Sequence, residues 1–111
     1  LQTTHGTMFT IPCEAIVNGH PAVYRSALVG IGPPGRQVPV VVVEPWPERR
    51  PHSAADKQRL VEELRQRAAQ HPLTQPIQHF LIHRSLPVDI RHNAKIFREK
   101  LAAWATRRVR R

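Results

Sequence analysis

The 111 residues allow one domain with a modest core and leave no room for a second domain of ordinary size. No apolar run approaches the ~20 residues that span a bilayer, and no basic stretch followed by an apolar one opens the chain, so the sequence reads as soluble, unsecreted and cytoplasmic. The formal charge of +9 is concentrated at one end, where from Arg84 onward nine Lys and Arg stand against Asp89 and Glu99. Such an end suits a phosphate-bearing ligand, a nucleic acid or an acidic partner surface, and its last arginines are equally a solvated tail. Eleven prolines imply many short elements with hard stops.

In chain order, Leu1 to Thr10 is polar with a glycine at position 6 and is expected to form a short hairpin turning near His5 and Gly6. It opens abruptly, which suggests a chain cut from a longer one, since nothing precedes Leu1 to cover an edge. Thr10 is expected to cap a short helix with Pro12 in its first turn, Glu14 near its positive end and Asn18-Gly19 as its stop. Ala22 to Ile31 is a strand, Gly32-Pro-Pro-Gly35 a turn, and Val38 to Glu44 the returning antiparallel strand. Its run of four valines requires cover on both faces, hence a central position.

A proline-rich loop leads to Ser53, which with Asp56 three residues on resembles a capping box for a helix that buries Leu60, Val61, Leu64 and Ala68. Glu63 and Arg67 have the spacing of a surface ion pair on that helix. His71-Pro72 ends it, and Ile77 to His83 alternates as a strand with Phe80 and Ile82 on one face. After Pro87, Val88 to Ile90 is a short extended piece, and a last helix carries Leu101 and Trp104. The expected order is ββαββαββα. Cys13 lacks a disulfide partner and a His at ligand spacing, so it reads as a packing residue. His79, His83 and His92 lack the spacing and acidic support of a metal site, and none is expected.

One stretch carries candidate chemistry. In Leu86 to Leu101, LPVDIRHNAKIFREKL, Asn93 marks a tight turn and Ile96, Phe97, Leu101 and Trp104 recur at helical spacing, which sets Lys95 at a strand-to-helix junction. A lysine on such a base offers a point charge with three donors, suited to phosphate and carboxylate oxygens. Composition alone reads it as a solvated surface charge.

The pattern L-P-x-x-x-x-x-N-A-K-I-x-R resembles the C-terminal signature of the adenylate-forming superfamily of acyl-CoA synthetases, adenylation domains and luciferases, whose usual form is P-x-T-x-[ST/N]-G-K-[IV]-x-R. IPCEAIVNGHPAVYRSALVGIG is similar to a second motif of that superfamily, with Glu14, His20, Pro21, Val23, Ala27, Val29 and Gly30 matching. Within it, IRHNAKIFREKLAAWA and TMFTIPCEAI look most like the bacterial olefin-biosynthesis β-lactone synthetases.

The resemblance implies an α+β fold, with a small antiparallel sheet, a short N-terminal hairpin and three helices packed around it. Residues 1–111 would be the C-terminal lid, with the large N-terminal ATP- and acyl-binding domain as its partner, and would be inactive in isolation. The implied enzyme adenylates a long-chain β-hydroxy acid with ATP and closes it to a β-lactone, releasing AMP and pyrophosphate. Lys95 would be catalytic, Asn93 and Ala94 would form the turn positioning it, and Gly6 would lie in the hinge-proximal loop. ATP and Mg2+ would be held mainly by the large domain, and other enzymes of the olefin pathway are possible partners.

Two departures bear on the expectation. Ala94 stands where the superfamily mostly has glycine, so a positive φ there would cost about 1 kcal/mol or more. Gly6 is followed by Thr7, Met8 and Phe9 instead of the Arg-Ile of coenzyme A ligases, which suits an acceptor already on the substrate. The alternatives are the lid of a long-chain acyl-CoA synthetase and, from another class, a small basic nucleic-acid-binding module using the Arg-rich end and Trp104, although no nucleic acid is expected.

Overall fold

The structure, a computed structural model, describes residues 1–4, 6–89, 95, 96 and 98–109. Its centre is a three-stranded sheet of β3 (Val23–Ile31), β4 (Val38–Pro45) and β5 (His79–Ile82), in the order β3-β4-β5. Val40, Val41, Val42 and Val43 are all fully buried, as a strand covered on both faces requires. The two glycines of the β3–β4 turn, Gly32 (φ +98°) and Gly35 (φ +86°), adopt the left-handed backbone that other residues resist.

β3 and β4 are antiparallel, but β5 lies parallel to β4, so the sheet is mixed where an antiparallel one was expected. The reason is the connection. Helix α2 (Ala54–Ala69) carries the chain back along one face of the sheet, so the next strand starts at the same end as β4, which no tight hairpin permits. Ser53 caps α2 by accepting a hydrogen bond from the Asp56 N–H at 3.1 Å, as its sequence implied.

Period-two alternation sorts the sheet's side chains into two cores. On one face Leu28, Val41, Val43 and Phe80 pack with Cys13 and Val17 of α1 (Thr10–Asn18) and Leu60, Leu64 and Ala68 of α2. On the other, Ala27, Val29, Val40 and Val42 pack with Leu101 and Ala105 of α3 (Arg98–Val109) and with Leu86. Three layers result, with α1 and α2 above the sheet and α3 below.

Two local expectations change. Thr10 lies inside α1, and the extended residue before the helix is Phe9, which makes no side-chain cap. Glu63 and Arg67 turn towards α1 instead of pairing with each other: Glu63 Oε1 meets His20 Nε2 at 2.8 Å, and Arg67 Nε donates to the Ile16 carbonyl at 2.9 Å. At the helix end the Ile16 carbonyl accepts only a tightened i+3 bond from the Gly19 N–H at 3.3 Å, and Arg67 adds a second donor.

At the N-terminus, β1 (Gln2–Thr3) and β2 (Gly6–Thr7) form the expected hairpin. It is tied to the start of β4, where Gln37 N donates to the Gln2 carbonyl at 3.0 Å. A second hairpin, β6 (Val88–Asp89) with β7 (Lys95–Ile96), precedes α3 and adds a strand absent from the sequence expectation.

Candidate active-site hairpin

Lys95 is placed by its backbone on β7, opposite Asp89, with Ile96 opposite Val88. The lysine therefore sits on a strand that closes a hairpin, and Ile96 continues that strand instead of beginning the helix, which starts at Arg98. Alternating apolar and helical periods overlap over so few residues that spacing could not separate them. Asn93 and Ala94, expected to form the positioning turn, lie outside the described residues.

Both feet of this hairpin are held by a carboxylate and an arginine. At the first foot, Glu44 at the end of β4 uses Oε1 to accept from the Leu86 N–H at 2.8 Å and from Arg25 Nε at 2.7 Å. Arg25, on β3, also reaches the Leu86 carbonyl at 3.5 Å. Leu86 itself is buried in the core beneath α3, so the chain enters the hairpin from a fixed point.

At the second foot, Arg98 in the first turn of α3 meets Glu14 of α1 in a two-pronged pair, Nη1 to Oε2 at 2.6 Å and Nη2 to Oε1 at 3.2 Å. The same guanidinium donates to the Leu28 carbonyl at 3.1 Å, while Glu14 Oε2 accepts from the Leu28 N–H at 2.7 Å. One β3 residue thus has both backbone groups satisfied by the pair. Charge-assisted forks of this kind are the stronger class of hydrogen bond and fix direction as well as distance.

The consequence is mechanical. Lysine has a long flexible stem, and its ammonium can be aimed only as well as its backbone is held. Here a layered core and two ionic anchors hold the backbone on both sides of residues 88–96.

Sequence reading found Glu14 and Lys95 and included Arg98 in the lysine motif, but it missed Arg25 and Glu44. One signal was available: Glu44 closes a strand of four buried valines, and an acid entering such a strand needs a buried partner. Gly6 is not drawn to this place; it lies on the N-terminal hairpin, anchored at the start of β4, whereas the Leu86 foot is at its end. Its φ of +100° is one that glycine accepts readily.

Cys13 is buried in the upper core, and burial with the neighbouring Glu14 carboxylate pushes its thiol pKa up, away from the thiolate a nucleophile needs. His83 lies at the end of β5, with its ring 4.6 Å from that of Trp104. His79 is on β5, and His92 lies outside the described residues. Among the described residues no three His, Cys, Asp or Glu side chains come together as a metal site. Trp104 is half-buried against the lower core, with the Arg108 guanidinium 3.9 Å from its ring centre.

No protein-family model matches the chain. It is 49% identical over 105 residues to the olefin β-lactone synthetase of Xanthomonas campestris pv. campestris, and 45% identical over 106 residues to that of Stenotrophomonas maltophilia. Those matches take in 95% and 96% of this chain but 18% of each relative, so the chain spans less than a fifth of their length. Among solved structures it resembles the amide bond synthetase McbA of Marinactinospora thermotolerans, with a TM-score of 0.70 and 20% identity over 94% of this chain and 19% of that one. The anthranilate CoA ligase AuaEII in complex with anthranoyl-AMP gives a TM-score of 0.73 and 22% identity over 95% of this chain and 19% of that one. At these identities the structural likeness concerns the fold.

Proposed function

We propose that this chain, which belongs with the olefin β-lactone synthetases in sequence and with adenylate-forming ligases in fold, is the C-terminal lid of an ATP-dependent enzyme and supplies its catalytic lysine, Lys95. The observation that carries this reading is the ionic anchor at the second foot of the Lys95 hairpin, which joins two motifs far apart in the chain, Glu14 of one and Arg98 of the other.

In the first step a carboxylate oxygen of the substrate attacks the α-phosphorus of ATP and the bond to pyrophosphate breaks. Negative charge builds on the α-phosphoryl oxygens as this happens. An ammonium held against them stabilises that charge, and a preorganised donor of this kind is commonly worth about 10²–10³ in rate. In the second step the β-hydroxyl of a β-hydroxy acid attacks the acyl carbon, loses its proton, and AMP leaves as the four-membered lactone closes. The long-chain acid, the lactone and the partnership with a large adenylation domain are all part of the proposal. Mg2+ belongs with that larger domain in this reading, and no step here is routed through it.

The competing nucleic-acid reading loses its aromatic platform, because Trp104 is engaged by His83 and Arg108 over the core. The test is a product assay on the full-length enzyme with ATP and a β-hydroxy fatty acid, with and without coenzyme A. AMP and β-lactone formed without coenzyme A support the proposal. AMP and acyl-CoA formed only with coenzyme A identify an acyl-CoA synthetase lid instead.

A further inference from the structure

An open cleft of about 650 Å3 lies between the start of α2 and the end of β5. Its prolines and Ile82 contribute apolar surface, Arg50, Lys57 and Arg84 contribute cations, and His52, Ser53 and His83 contribute further polar groups. Among the described residues no carboxylate lines it. Its volume falls within the ~300–1,000 Å3 of small-molecule sites.

What sets these three cations apart from the other unpaired ones among the described residues, Arg36, Arg49 and Arg107, is that they surround one concavity. Arg25, Arg59, Arg65 and Arg98 each meet an acid, and Arg67 and Arg108 each meet a carbonyl. Arg50, Lys57 and Arg84 make no side-chain hydrogen bond or ion pair among the described residues, and the Nε of Arg50 is buried without a partner. Positive charges gathered around one concavity and left uncompensated raise the local potential and attract anions.

His83, in the lining, is held in one tautomer. Its Nδ1 accepts a hydrogen bond from the Ser85 N–H at 3.0 Å, so the proton of the neutral ring is on Nε2. Burial and the charge of Arg108 favour that neutral ring. The cleft is therefore lined by three cations and the neutral His83 ring, with His52 and Ser53 beside them. A lone carboxylate is satisfied by one arginine fork, whereas several separated cations suit an anion with more charge and more oxygens.

We propose that this cleft binds a small phosphate-bearing molecule, a polyphosphate or a nucleotide, at a site separate from the Lys95 hairpin. The proposal does not depend on the function assigned to Lys95. The cleft adjoins the first foot of the hairpin, since Pro45 follows Glu44 and Arg84 precedes Leu86 in the chain.

The experiment is a titration of the 111-residue chain with inorganic pyrophosphate, followed by amide shifts in two-dimensional NMR, and repeated with ADP and with citrate. The expected result is saturation at one site, with the largest shifts at Ser53, Lys57, His83 and Arg84, and at least tenfold weaker binding in Lys57→Glu/Arg84→Glu. Both substituted residues are exposed and unpaired, so the fold is retained and is checked by thermal unfolding. Tighter binding of ADP than of pyrophosphate identifies a nucleotide, and equal binding identifies the polyphosphate itself. Unsaturable shifts spread over Arg36, Arg49 and Arg107, undiminished binding in the double variant, or citrate binding as tightly as pyrophosphate would each overturn the proposal.

Discussion

Glu14 and Arg98, 84 positions apart in the chain, close on each other at 2.6 and 3.2 Å and enclose the backbone of Leu28 between them. The pair joins α1, β3 and α3 at the point where the chain leaves the lysine hairpin. It is only partly shielded from water, with the side chain of Glu14 12% exposed and that of Arg98 37% exposed.

Removal of either partner is expected to cost more than a surface pair does. Arg98→Ala leaves a nearly buried carboxylate without its counter-ion and the Leu28 carbonyl without its donor. A loss of about 2 kcal/mol in unfolding free energy is expected, in line with hydrogen bonds to charged groups. Arg98→Lys should recover part of it, since an ammonium keeps the charge but not the fork. Chemical denaturation of the three proteins measures this directly, and equal midpoints for Arg98→Ala and the parent would show the pair to be incidental.

Glu44 is expected to act on catalysis through Lys95. In the full-length enzyme Glu44→Gln should lower the turnover of acid activation with little change in the KM for ATP, and Glu44→Asp should restore part of it. The decisive comparison is the double variant. If Glu44 only positions Lys95, Glu44→Gln has no further effect on AMP formation once Lys95 is alanine. Additive losses would mean that Glu44 works by another route, while an unimpaired Lys95→Ala would remove the role of the lysine itself.

The sheet and helices were largely legible in the sequence, because strong local signals agreed with the final packing. Four successive valines, the Ser53 cap and the Gly32-Pro-Pro-Gly35 turn each have one physical solution. The parallel pairing of β5 was not legible. It depends on where α2 delivers the chain, and no local pattern encodes that. Lys95 and Glu14 were found by resemblance, but Arg25 falls at an unmatched position of the one motif and Glu44 outside both, and their meeting depends on β3–β4 register, which becomes visible only when the strands are paired.

His83 gives a pH signature. Burial, followed by the positive charge of Arg108, holds its pKa below the usual 6.5, with Glu44 acting weakly in the opposite direction. A base with a depressed folded pKa stabilises the fold above its unfolded value, and that contribution is lost as the pH falls through the folded pKa. Thermal stability should therefore decline as the pH drops below about 6.5, and His83→Phe should flatten that decline. An unchanged slope in the variant would assign the pH dependence to other groups.

The lower core should respond to truncation as a closely packed one. Leu101 is fully buried against Ala27, Val29 and Val42, and Leu101→Ala is expected to cost about 2–5 kcal/mol by leaving a cavity under β3 and β4. Since α3 carries Arg98, loosening it should also weaken the second foot, so AMP formation should fall at temperatures where the variant is still folded. Thermal melts alongside activity at several temperatures separate the two effects.

The most direct test of the lysine hairpin as a catalytic element is the rate of AMP release by full-length Lys95→Ala, given ATP and a β-hydroxy fatty acid, in a protein whose thermal unfolding matches the parent. A fall of about 10²–10³ is predicted, the usual weight of one preorganised donor on developing charge. A rate within twofold of the parent would contradict it, and would leave the anchored hairpin as a structural feature only.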